Sequence, residues 1–257
     1  MSDDILTLSP PPADARISYG SDKYQFGEIR APKGSGPFPL VMNIHGGFWR
    51  AKYDLSHGGH LCAALTGKGM VTWNVEYRRV GNPGGGWPGT FEDVRNAYRY
   101  VPQLAKKYPI DANKVVAIGH SAGGQLAICL ADHESSLKSV VSLAGLVDLQ
   151  QAWELHLSDN AVGEFLGGPP SAVPEHYAEA DPMKLTVPRS TTQWLLHGAG
   201  DDIVPSYFSR NYAQAKKGAG ADVHYSEIST AGHFDLIDPR SRAWQRVEDT
   251  VRHLLGS

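Results

Sequence analysis

The chain has 257 residues, with 24 Lys and Arg against 27 Asp and Glu, a formal charge of −3. Hydrophobic residues at 41% and charged residues at 20% exclude a disordered chain, which would carry fewer apolar groups and more net charge. The lack of a basic surplus argues against nucleic acid as a partner, and no apolar run approaches the ~20 residues of a membrane-spanning helix.

The first dozen residues are acidic and Pro-rich, without the apolar stretch of a secretion signal, so none is expected. Short alternating runs at 16–19 and 24–30 predict an N-terminal β-hairpin or edge strands. From Phe38 onward compact apolar runs recur at 39–44, 70–77, 114–120, 138–145 and 192–198. They are rich in β-branched or aromatic residues and bounded by Gly or Pro, as strands buried on both faces should be. The segment 222–228 predicts a last strand. Helix-period segments lie between and after them, at 58–66, 91–107, 123–132, 206–217 and 241–255. This alternation predicts an α/β fold: one domain with a mostly parallel, doubly wound sheet and helices on both faces. Residues 148–185 interrupt it, carrying Trp153, His156, Phe165 and Tyr177 among Gly, Pro and acidic residues. They predict two or three short helices forming a small cap over the carboxyl ends of the strands, where ligands bind in open α/β sheets. Cys62 and Cys129 sit in apolar helix-like stretches and read as buried free thiols in a reducing cytoplasm.

The strongest chemical signal is Gly119-His120-Ser121-Ala122-Gly123, between a strand and a helix. A sharp strand-to-helix turn presents a serine hydroxyl above the sheet, and the flanking glycines relieve its crowding. The same turn leaves the Ala122 N–H at a helix N-terminus, where it can stabilise negative charge. Serine needs a base, and His233 on the loop after the last strand is placed to serve. His224 and His253 fall inside a strand and a helix, and His45 and His197 head glycine turns. His57 and His60 have the spacing of a metal pair without a third ligand, so they are expected to be solvated or helix-capping, with no metal. The acid that orients the base comes from Asp201 or Asp202, the other capping the helix that starts near Pro205. After an early strand, His45-Gly46-Gly47-Phe48-Trp49 supplies further backbone N–H groups to an oxyanion hole.

Together the segments HGGFW, GHSAGG, GAGDDIVP and AGHFD resemble the α/β-hydrolase superfamily, from about Pro37 to the C-terminus. The H-G-G-x-W form is similar to kynurenine formamidase-like and hormone-sensitive-lipase-like esterases. The resemblance implies a triad of Ser121, Asp201 and His233, and an oxyanion hole from Gly47, Phe48 and Ala122. It implies two-step acyl transfer to water on a small-molecule ester or amide, without metal or cofactor. The Gly-rich stretch before Trp87 departs from the family's usual short loop. It is expected to shape the substrate pocket, with Trp49, Trp87, Trp153 and Phe165 as its aromatic walls. The first expectation is a carboxylesterase for small or medium acyl groups. The alternatives are an arylformamidase acting on N-formylkynurenine, another small amidase or peptidase, and a receptor on a hydrolase fold. The sequence leaves monomer and homodimer open.

Overall fold

A computed structural model of the chain describes residues 3–256. Among them eight strands form one sheet: β1 (Ala15–Ser18), β2 (Phe26–Arg30), β3 (Phe38–Ile44), β4 (Val71–Val75), β5 (Ile110–His120), β6 (Ser139–Leu143), β7 (Thr192–Gly198) and β8 (Val223–Ile228). Their order is β1-β2-β4-β3-β5-β6-β7-β8. The hairpin β1–β2 is antiparallel and joins β4 antiparallel, and the other pairs are parallel.

The apolar runs fit this sheet because both its faces are covered. Side chains alternate across a strand, so Leu40 and Met42 enter one core while Val41 enters the other. The first core packs against α2 (Gly89–Arg99), α4 (Ala122–His133) and α8 (Tyr207–Gly218), through Val94, Leu126 and Phe208. The second packs against α1 (Gly59–Thr66) and α9 (Trp244–Leu255), through Leu61, Leu65, Val247 and Val251. Each such Leu or Val, fully buried, contributes about 1.5–3 kcal/mol of transfer free energy.

Two elements differ from expectation. The helix expected over 91–107 is α2 followed by a separate turn, α3 (Val101–Leu104), because Pro102 has no N–H to continue the ladder. Strand β5 begins at Ile110, before the expected 114. Its register jumps from Pro39↔Asp111 to Leu40↔Val115, so residues 112–114 loop out.

Three short helices fill the interruption: α5 (Leu149–Glu154), α6 (Leu157–Leu166) and α7 (Pro174–Ala180). They dock on the segments after β3 and β4. Trp49 and Phe165 stack at 4.3 Å, and Trp87 N–H donates to Phe165 O at 2.8 Å. Arg50 reaches Ser158 Oγ (3.0 Å), Ser158 O (2.8 Å) and Glu164 Oε2 (2.7 Å).

Candidate active site

Ser121 follows β5 with φ 56° and ψ −121°, a conformation that L side chains rarely adopt. The surroundings impose it: Ser121 N–H donates to Leu143 O at 2.8 Å, and α4 starts at the next residue. A Cβ at Gly119 would lie 2.0 Å from Gly123 O, and one at Gly123 would lie 2.1 Å from Ile44 O. Both positions therefore require glycine.

The base and acid meet as the motifs imply. His233 Nδ1 donates to Asp201 Oδ2 at 2.7 Å, and a carboxylate only accepts, so the lone pair of the neutral ring lies on Nε2. Asp201 Oδ1 takes the N–H groups of Ile203 (2.9 Å) and Val204 (2.8 Å), which fix the carboxylate at the end of β7. Burial pushes Asp201 upward, but the hydrogen bonds from His197 and His233 outweigh it and hold the acid well below the usual carboxylate range. Asp202 is exposed. Asp235 accepts from Gly232 N–H at 2.7 Å.

The loop after β3 lies against the elbow. A Cβ at Gly46 would fall 2.9 Å from Ser121 Cβ. Gly47, Phe48 and Trp49 all have positive φ. Among the described residues the N–H groups of Gly47, Phe48 and Ala122 meet no acceptor. His45 anchors this loop: its Nε2 donates to Glu76 Oε1 at 3.0 Å, and Tyr77 O–H donates to its carbonyl at 2.6 Å. Glu76 and Tyr77 follow β4.

Ser121 and His233 line one cavity of about 80 Å³, with Gly47, Phe48, Tyr53, His57, His120, Ile203 and Phe234. Leu6, from the N-terminal turn Asp3–Leu6, also lines it. The four aromatic residues expected as its walls are elsewhere. Trp49 and Phe165 are buried against each other, Trp87 packs on Phe91 at 5.2 Å, and Trp153 meets His156 at 6.2 Å. Phe165 is held by the Trp87 N–H and the Trp49 ring, and the start of its helix by Arg50, instead of turning to the cavity. The expectation that His57 is solvated or helix-capping is also corrected: it is largely buried, at 9% exposure, inside the turn Leu55–Gly58, which Asp54 caps. A larger cavity of about 540 Å³ lies by Arg99, Asn113 and Lys138, at the amino ends of β5 and β6, remote from these groups.

His120 and His197 were not singled out as site residues. His120 Nε2 donates to His233 O at 3.0 Å, while its Nδ1 is buried without a partner. Burial, followed by the neighbouring His233, pushes the His120 imidazole well below its ordinary value.

The family model described as BD-FAE matches residues 28–215. The chain belongs to the BD-FAE family. Among curated relatives of this BD-FAE member, esterase LipC of Mycobacterium tuberculosis is 24% identical, over 87% of this chain and 60% of its own. Kynurenine formamidase of Danio rerio is 24% identical over 86% and 75%. A solved structure, a truncated carbohydrate esterase from gut microbiota, superposes with TM-score 0.83 at 20% identity, covering 97% of this chain and 100% of that one. Those likenesses establish the α/β-hydrolase fold. The chain spans between about half and three-fifths of the length of the first curated relatives it matches.

Proposed function

We propose that the chain is a serine hydrolase cleaving carboxylic esters of small or medium acyl groups through an acyl-enzyme. The observation that carries this reading is the 2.7 Å Asp201–His233 hydrogen bond at the wall of the cavity that also holds Ser121. His233 Nε2 takes the Ser121 proton as Oγ attacks the ester carbonyl. The N–H groups of Gly47, Phe48 and Ala122 receive the oxyanion. His233 then protonates the departing alcohol, and water releases the acyl group by the same route. Asp201 holds the ring tautomer and offsets the imidazolium charge. The esterase names among the relatives favour an ester over an amide. Formamide hydrolysis on the same machinery is the second reading, favoured by the formamidase relative. No helix among the described residues is long and apolar enough to cross a membrane. A reducing, cytoplasmic setting suits the two buried free cysteines, Cys62 and Cys129.

Ser121→Ala is expected to lower kcat by about 10⁴–10⁶ while the protein stays folded. It should also abolish labelling by a fluorophosphonate. Purified Ser121→Ala retaining a tenth of wild-type turnover would overturn the assignment. kcat/KM on p-nitrophenyl acetate against an N-formyl anilide separates ester from formamide preference.

A further inference from the structure

Besides His120, whose Nε2 is bound to His233 O, the cavity over Ser121 has a polar side chain that the triad and the oxyanion hole leave unused. Phe48, Tyr53, Ile203, Phe234 and Leu6 make most of the surface apolar, and His57 interrupts it. The His57 ring meets His45 edge-on at 5.9 Å and His120 at 6.5 Å. Among the described residues neither of its nitrogens has a hydrogen-bond partner, and although most of the side chain is buried both nitrogens keep access to solvent.

The turn that carries His57, Leu55–Gly58, is fastened from below. Leu55 N–H donates to Glu76 Oε2 at 3.2 Å, and Asn74 Nδ2 donates to Leu55 O at 2.9 Å. Asn43 Nδ2 donates to Asn74 Oδ1 at 2.8 Å, and a Cβ at Gly58 would come within 2.4 Å of that same nitrogen. The ring is therefore held at the cavity wall by a polar network on the ends of β3 and β4.

Burial pushes the His57 imidazole down from its ordinary 6.5 to about 4, and the nearby His45 adds to the shift. The ring is neutral at neutral pH, with one donor and one acceptor nitrogen. No carboxylate is hydrogen-bonded to it, so it lacks the partner that makes His233 a base. A charged substrate group would gain little from a neutral ring in an apolar cavity. An alkyl group would leave the nitrogens unsatisfied. A hydroxyl, which donates and accepts, is the complement.

Resting on the esterase reading, we infer that His57 is a specificity-determining residue that hydrogen-bonds a substrate hydroxyl close to the scissile ester. The substrate class is then short-chain esters bearing a hydroxyl next to the ester group, on the alcohol side or the acyl side.

Two matched pairs distinguish the sides. Ethyl acetate is compared with 2-hydroxyethyl acetate, and methyl propanoate with methyl 2-hydroxypropanoate, each kcat/KM being divided by the hydroxide-catalysed rate of the same ester. The wild type is expected to favour the hydroxylated member of at least one pair by about three- to tenfold. In His57→Phe the ratio should fall to about one, and His57→Gln should restore part of it. Should His57→Phe not fold, His57→Asn, whose shorter side chain withdraws the polar end, should lower the ratio in its place. Equal ratios in the wild type and the folded variants would overturn the inference. Failure of the esterase reading looks different: no ester is turned over above the Ser121→Ala level, and no fluorophosphonate label appears.

Discussion

His197 Nε2 lies 3.2 Å from Asp201 Oδ2, the carboxylate oxygen that also receives His233 Nδ1–H. His197 sits at the end of β7, fully buried, and its Nε2 also approaches Val204 O at 2.9 Å. Both neighbours are acceptors, so Nε2 carries the hydrogen, and Nδ1 accepts from Ser209 Oγ at 2.7 Å. Asp201 is thus gripped from behind by a histidine that does not reach the cavity. His197 is a positioning residue. His197→Leu is expected to lower kcat by about 10- to 100-fold, since small misplacements of a catalytic group cost that much. KM should stay near wild type. Steady-state kinetics after a matched thermal melt checks this, and an unchanged kcat would assign His197 to packing alone.

The two adjacent aspartates separate sharply. Asp201→Asn should lower kcat by roughly 10⁴, because the amide favours the wrong tautomer of His233 and cannot balance its cation. Asp202→Asn, at an exposed position, should change kcat little. Both variants are compared on one ester at pH 8. The reverse ranking would move the acid to Asp202.

Much of this arrangement was legible in the sequence because it is local. The elbow around Ser121 needs glycines at fixed offsets, and the buried strands read as short apolar runs. The choice between Asp201 and Asp202 was not local. It depends on which carboxylate faces a loop more than thirty residues away, and only the family pattern singled out Asp201. The walls of the cavity were not legible at all. Leu6 comes from the opposite end of the chain and His57 from a turn whose orientation Glu76, Asn74 and Asn43 set across strands. The insertion read as two or three short helices, and there are three. Its docking partner, Arg50, carried no signal beyond a charge following an aromatic residue.

That docking is testable. His156, Ser158, Asp159 and Asn160 all have positive φ, a left-handed stretch that costs energy for residues with a Cβ. Arg50 satisfies it through Ser158 Oγ and O. Its ion pair with the half-exposed Glu164 adds little. Arg50→Ala is expected to destabilise the protein by about 1–3 kcal/mol, mainly through the lost Ser158 bonds. It should raise amide exchange across 156–166 before the sheet opens. Exchange unchanged in that segment would mean the Trp49–Phe165 stack suffices to hold it.

Two buried groups make opposite contributions to stability in acid. The folded pKa of His57, about 4, lies below its ordinary 6.5, so between those values the unfolded chain binds more protons. Its contribution is full above about pH 6.5 and is lost as the pH falls towards 4, on the order of 3 kcal/mol in all. Asp181 behaves in reverse. Burial raises it from 3.8 to about 6, although the N–H groups of Leu149, Met183 and Gln150 favour its charged form. The native chain then binds more protons between 3.8 and 6, so Asp181 costs stability at neutral pH and is relieved as the pH falls. The two effects offset one another in the wild type, and variants should expose each. The melting temperature of His57→Gln relative to wild type should become more favourable from pH 7.5 to 4.5. That of Asp181→Asn should become less favourable over the same range, because the substitution removes a penalty present only at the higher pH. Parallel curves for wild type and both variants would show that neither group titrates differently on folding.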